Sequence, residues 1–145
     1  MDSLATIIQL AIAPVFLLAG IAGFLGVMSG RLGRVIDRVR VVEPRLQRIT
    51  DETQKLVLER ELALLRRRAK VTNRAIALCT GAGLMVCCLV LGLFAADYLD
   101  IDLAGLIGSV FAAAMIMLIV SLLLFLFEVT LATRTLGIAR EYGAE

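Results

Sequence analysis

The sequence contains no histidine and no tryptophan, and it has only two prolines and three cysteines. Histidine is the commonest general base and the commonest metal ligand, so its absence argues against the usual catalytic and metal centres. Cys79, Cys87 and Cys88 lie within one apolar block, whereas a disulfide framework needs cysteines on exposed loops. We therefore expect them to be small apolar fillers, and we expect no cofactor, no metal site and no enzyme activity.

What the chain has in excess is apolar residues. They make up 60% of its 145 residues, against roughly 45–50% in soluble domains. They form three uncharged blocks, at about residues 4–28, 75–96 and 103–127, and each is long enough to cross ~30 Å of hydrocarbon as a helix. The sequence therefore predicts an all-α, single-domain membrane protein (1–145) with three transmembrane helices. Pro14 is expected to kink the first of them modestly.

The charged residues predict the orientation of the spans. Between Arg31 and Arg74 there are thirteen Lys or Arg and six Asp or Glu, a net charge of +7. The connection between the second and third spans carries Asp97, Asp100 and Asp102 and no basic residue. Positive loops stay in the cytoplasm, so the N-terminus is expected outside and the C-terminus in the cytoplasm. No basic residue precedes the first apolar block, which is expected to remain in the mature protein.

The cytoplasmic segment 31–74 has helical periodicity and predicts a helical hairpin that extends the first and second spans. Its returning arm carries a coiled-coil-like seam: Leu58, Leu62, Leu65, Ala69, Thr72 and Ile76. The chain could reverse at Pro44 or at residues 50–53. Only the second gives arms of similar length, roughly 33 Å each at 1.5 Å per residue. It also makes Asp51 a helix N-cap, with Gln54 completing a capping box.

Small residues mark the faces where membrane helices approach closely. On the first span they recur every three or four residues: Ala19, Gly23, Gly26, Gly30 and Gly33. The third span has a weaker series: Gly105, Gly108 and Ala112. We expect at least one of these faces to pack within the protomer, and a second such face often serves another subunit, so a homo-oligomer is plausible.

Several motifs resemble a bacterial membrane family known only as domain-of-unknown-function family 2721. The most specific is the stretch Arg31-Leu32-Gly33-Arg34-Val35-Ile36-Asp37-Arg38-Val39-Arg40. A second signature of the family is similar to the run from Glu61 to Ile76. A third is similar to Glu128, which follows a Phe-Leu-Phe run. The resemblance covers almost the whole chain. It implies a bacterial inner-membrane protein with three spans, and it implies no activity, substrate or catalytic residue.

Polar residues from all three helices should converge at the cytoplasmic membrane boundary: Arg31, Arg34, Asp37, Arg38, Arg67, Asn73 and Glu128. One hypothesis is that Asp37 and Glu128 are semi-buried carboxylates paired with Arg34, Arg38 or Arg67. The alternative, which we favour, is a cluster that anchors the spans and contacts anionic lipid head groups. The acidic outer turn is best explained as a solvated loop.

Three functions remain open at this point. The first is a structural or interaction protein whose hairpin docks another component or stabilises an oligomer. The second is a subunit of an oligomeric channel or transporter, although no span carries a polar stripe and only a hydrophobically gated pore would fit. An enzyme is the weakest, and acids interleaved with the basic residues argue against nucleic acid as a partner.

Overall fold

A computed structural model of the chain contains three α-helices: α1 (Asp2–Arg48), α2 (Glu52–Leu99) and α3 (Ala104–Glu141). The structure describes residues 2–99 and 101–141, with side chains for 5–99 and 101–130, and no strand occurs in those ranges. Each helix is long and apolar enough to cross a membrane. The all-α architecture predicted from the three apolar blocks is therefore confirmed. Met1, Asp100 of the acidic outer turn and residues 142–145 lie outside the described ranges.

Both reversals of the chain are set by aspartates placed just before a helix. The Thr53 amide donates to Asp51 Oδ1 at 3.1 Å, and the Ala104 amide donates to Asp102 Oδ1 at 3.1 Å. Each carboxylate satisfies an amide that has no partner inside its own helix. The first reversal occupies residues 49–51, close to the expected 50–53, and α1 runs through Pro14 and Pro44 without ending.

The buried side of α1 repeats every seven residues along nearly its whole length. The residues on this repeat are Ile7, Pro14, Ile21, Met28, Val35 and Val42. A seven-residue spacing is close to two helical turns, so all of these side chains lie on one face. This face packs against α2, first within the apolar blocks and then beyond them.

The middle helix, α2, packs against both of the others and has the broadest buried face. Its buried residues are mostly small or of medium size: Leu62, Leu65, Thr72, Ala75, Cys79, Ala82, Gly83, Val86 and Leu89. Together with Ile21 and Met28 of α1 and Ala114 and Leu118 of α3, the central members form the main core. Close approach is visible at Gly81, where an added Cβ would lie 2.7 Å from Met117 Cε.

The outer surface of the three apolar blocks is itself apolar. Phe16 is 75% exposed, Leu91 70% and Leu84 66%. Continuous apolar surface of this kind is unfavourable in water and is what a helix presents to lipid. The exposed apolar surface and the long uncharged spans are both properties of a membrane protein.

Beyond the apolar blocks, the end of α1 and the start of α2 pack as two antiparallel arms. Their core consists of Val35, Val42, Leu62 and Leu65. Two exposed ion pairs join the arms, Arg38 to Glu61 at 2.7 Å and Arg66 to Glu43 at 2.7 Å. Such pairs contribute at most ~1 kcal/mol each, so the apolar seam is the main source of stability. Ile36 lies on the exposed side of α1 rather than in this seam.

The small-residue series on α1 and α3 face outward. Ala19, Ala112 and every glycine of the two series are exposed. Among the described residues, no atom of a neighbouring helix lies within 4 Å of a Cβ built on those glycines. The expectation that one series packs within the protomer is therefore not met, because α2 supplies the small residues at the helix contacts instead.

Candidate functional site at the edge of the apolar bundle

Glu128 is the most buried charged side chain that the structure describes, with 2% of the residue exposed. It continues a seven-residue series on α3 whose preceding members, Ala114 and Ser121, are also buried. That series directs its carboxylate toward α2 and α1, one residue beyond the end of the third apolar block. A carboxylate in such surroundings requires cationic or hydrogen-bonding partners.

The main partner of Glu128 is Arg68 of α2. Arg68 Nε donates to Glu128 Oε1 at 2.9 Å, and Arg68 Nη2 donates to the same oxygen at 2.8 Å. The Arg68 side chain is 27% exposed, so its guanidinium reaches from the outer edge of the bundle into the buried site. The pair joins α2 to α3 where the apolar core ends.

The second carboxylate oxygen is much less well satisfied. Arg31 Nη1 of α1 lies 3.6 Å from Glu128 Oε2, which is too long for a hydrogen bond. The Arg31 guanidinium also sits over the Phe125 ring, 5.6 Å from its centroid, in a cation–π contact. Oε2 is buried and accepts no hydrogen bond from any residue that the structure describes.

A cavity of about 230 Å³ opens beside this carboxylate. It is lined by Arg31, Arg34, Val35, Arg38, Leu65, Arg68 and Glu128. The three arginines of α1 share one helix face because they are spaced by three and four residues. Four guanidinium groups and one carboxylate therefore surround one small space, and the site is strongly positive.

The structure brings four of the seven predicted polar residues to this cavity: Arg31, Arg34, Arg38 and Glu128. It places the other three, Asp37, Arg67 and Asn73, on exposed surface away from the cavity lining. The carboxylate partners also differ from the hypothesis. Glu128 pairs with Arg68 and approaches Arg31, while Arg38 pairs with Glu61.

Arg68 is the residue that sequence reasoning missed, although the sequence contains a signal for it. Buried positions of α2 step by four and three through Leu65, Thr72, Ala75 and Cys79, and Arg68 falls on the step between the first two. An arginine on the buried face of a helix needs an acidic partner, and Glu128 is the acidic residue at the matching end of α3. A second buried polar contact lies deeper, where Ser121 Oγ donates to the Ala75 carbonyl at 2.6 Å.

The geometry defines the chain as a multi-pass helical membrane protein with a buried arginine–glutamate pair at one end of its apolar bundle. The chain belongs to the family described as "Protein of unknown function (DUF2721)", whose model matches residues 11–138. The resemblance inferred from the arginine-rich motif after the first span is thereby confirmed. A search of curated proteins and a search of solved structures each gave no match.

Proposed function

We propose that this protein is a structural component of the bacterial inner membrane that self-associates through the small-residue faces of α1 and α3. The N-terminus lies outside, the arginine-rich arms lie in the cytoplasm, and basic residues at that boundary contact anionic lipid head groups. The proposed role includes no catalytic step. It is that of a membrane scaffold whose cytoplasmic arms offer a rigid surface to neighbouring molecules.

One observation carries the self-association. Gly23, Gly26 and Gly30 lie on one face of α1, and among described residues that face meets no neighbouring helix. Glycine in a helix interior costs roughly 0.5–1 kcal/mol relative to alanine. In membrane helices, van der Waals packing offsets this cost when the small residues let another helix approach closely. Because α2 packs on a different face of α1, the face is available to a second copy of the chain.

The membrane orientation is supported by the distribution of charge. The arms that extend beyond the first two apolar blocks carry a net charge of +7, and positive segments resist translocation. The same arginines are attracted to the negative surface of the cytoplasmic leaflet, at about 1 kcal/mol per residue. This attraction between the arginines and the leaflet supports the proposed contact with anionic head groups at the cytoplasmic membrane surface.

The test of self-association is the mass of the purified protein in a mild detergent. The wild type is expected to give an oligomer, and Gly26→Leu is expected to shift it to a monomer because the leucine separates the two backbones. Gly20→Leu is the matched control. Gly20 is also exposed with open space around it, but it lies about 100° around the helix from the proposed interface.

A monomeric wild type, or a Gly26→Leu variant with wild-type mass, would contradict the proposal. The same preparation in liposomes tests the alternative of a channel subunit. We expect no ion flux, because the spans carry no polar stripe. If the liposomes show selective flux that Gly26→Leu abolishes, the protein is a channel subunit and the structural role is contradicted.

A further inference from the structure

We infer that the arginine cavity beside Glu128 binds a phosphate ester that also carries a hydrogen-bond donor, such as the head group of phosphatidylglycerol. This deepens the lipid contact in the proposed function, since it replaces a diffuse attraction by a specific site. The inference rests on three features of the cavity: its uncompensated charge, its unpartnered carboxylate oxygen and its place in the bundle.

The first feature is positive charge in excess of the nearby carboxylates, since four arginines line the cavity and, among the described residues, only Glu128 and Glu61 pair with them. Arg38 is engaged with Glu61 at 2.7 Å, and Arg68 gives two hydrogen bonds to Glu128 Oε1. Arg34 lines the cavity and forms no ion pair with any described residue, and Arg31 has only the 3.6 Å approach to Glu128. Two guanidinium groups are therefore able to bind a tetrahedral oxyanion, for which their planar fork is well suited.

The second feature is Glu128 Oε2, which is buried and lacks a hydrogen-bond donor among described residues. A buried acceptor without a donor is unfavourable, and more so when it is charged. A bare phosphate would not satisfy it, because two anionic oxygens repel each other. A hydroxyl or ammonium group on the same ligand would, while the phosphate faces the arginines.

The third feature is location. Arg31 and Glu128 follow the first and third apolar blocks within one helical turn, at the depth where lipid phosphates meet the hydrocarbon. Val35 and Leu65 give the cavity an apolar part of its lining. A water occupies ~30 Å³ in the liquid, so about 230 Å³ has room for a phosphoglycerol group.

Native mass spectrometry of the full-length protein, titrated with defined lipids, tests the inference. Phosphatidylglycerol supplies a net negative charge and hydroxyl donors, and phosphatidylmethanol has the same net charge without a donor. In phosphatidylcholine the phosphate charge is offset by a quaternary ammonium, which donates no hydrogen bond. We expect affinity to fall in that order, with phosphatidylglycerol about tenfold tighter than phosphatidylcholine, as expected for one charge-assisted hydrogen bond. Equal binding of all three lipids would overturn the site.

The variants assign the contacts. Arg34→Gln should weaken phosphatidylglycerol binding about tenfold without changing the melting temperature, because Arg34 is exposed. Arg67→Gln removes the same charge outside the cavity and should change neither the affinity for phosphatidylglycerol nor the melting temperature. Equal losses in both variants would mean diffuse surface attraction and would contradict the site. Arg31→Gln provides a second variant, at the guanidinium that lies 3.6 Å from Glu128 Oε2, and should also weaken phosphatidylglycerol binding.

Glu128→Gln separates the donor contact from the charge. It should narrow the preference for phosphatidylglycerol over phosphatidylmethanol, because a neutral amide accepts a hydrogen bond more weakly than a carboxylate. An unchanged preference would contradict the role of Oε2. Glycerol 1-phosphate as a competitor distinguishes the ligand sources: displacement supports a soluble phosphate ester in this cavity, and persistence of bound lipid supports the head group.

The same spectra report the mass of the complex. A monomer that prefers phosphatidylglycerol would contradict self-association alone, and an oligomer without lipid preference would contradict the cavity alone. The two proposals can therefore fail independently.

Discussion

Glu128 of α3 meets α2 through Arg68 and α1 through Arg31. Burying an ion is expensive, and removing one partner of a buried pair leaves the other uncompensated. The Glu128 side chain is 1% exposed and that of Arg68 27%, so water screens this pair far less than the ion pairs of the arms. The pair therefore holds α3 against α2 in one register at the edge of the membrane.

This gives a first prediction. Arg68→Gln should destabilise the protein by about 3 kcal/mol, because it leaves Glu128 buried with Arg31, at 3.6 Å, as its one remaining cation among the described residues. Unfolding in SDS titrations of mixed micelles, followed by circular dichroism, measures the loss. Arg66→Gln is the control, since it breaks only the exposed pair with Glu43 and should cost at most ~1 kcal/mol. Similar losses in the two variants would refute the special role of Arg68.

Ser121 supports a second prediction at the same scale. Its hydroxyl donates to the Ala75 carbonyl at 2.6 Å, and Ser121 is fully buried. Ser121→Ala should cost about 1 kcal/mol in the same titration, as interhelical hydrogen bonds in membranes do. Ser109→Ala is matched to it, because Ser109 is exposed and its hydroxyl donates to the Leu106 carbonyl of the same helix. We expect that variant to unfold like the wild type.

Among the helices, α2 is the one that organises the bundle. Its face of small residues lets α1 and α3 approach it, with Ala75, Cys79 and Ala82 fully buried. Helices in lipid gain little from burying leucine, so close packing of small residues has to supply the contact energy. The more conspicuous glycine series of α1 plays no part in this packing.

A third prediction follows for α2. Ala82→Leu should destabilise the bundle by about 1–3 kcal/mol, because the larger side chain has no space between three helices. Ala77→Leu adds the same atoms on the exposed side of α2 and should be nearly neutral. Thermal unfolding in detergent compares them directly. A stable Ala82→Leu variant would show that the helices do not pack this closely.

The helices and the reversals between them are the part of the fold that the sequence predicts well. Spans, reversals and the seam of the arms depend on local signals, namely uncharged runs, capping aspartates and helical periodicity, and the helices were predicted from them. These local signals did not predict that Arg68 is the partner of Glu128. Arg66, Arg67 and Arg68 are consecutive. Helical spacing places Arg68 on the buried face of α2, but which residue of α3 meets that face depends on how the two helices are arranged.

The role of the small-residue faces is hard to predict from sequence for a related reason. Gly26 and Gly30 form a recognisable motif, whereas alanines and Cys79 on α2 look like ordinary apolar residues. Which face of a helix meets a neighbour depends on the arrangement of all three helices. That arrangement is a tertiary property that no single segment encodes.

At the scale of the whole molecule, apolar surface and charge occupy separate zones. Side chains such as Phe16 and Leu91 extend outward from the bundle, while the basic residues are concentrated in the arms. A bilayer accommodates this separation, since lipid covers the apolar zone, and the proposed orientation places the positive arms on the cytoplasmic side. The cavity beside Glu128 lies where the two zones meet.

Cysteine labelling tests this membrane placement most directly. In a background with the three native cysteines replaced, Arg60→Cys reports on the arms and Tyr98→Cys, in the last turn of α2, reports on the opposite end of the bundle; both positions are exposed. An impermeant maleimide added to intact spheroplasts should label Tyr98→Cys at once and Arg60→Cys only after lysis. Labelling of Arg60→Cys in intact spheroplasts, with Tyr98→Cys protected, would contradict the account.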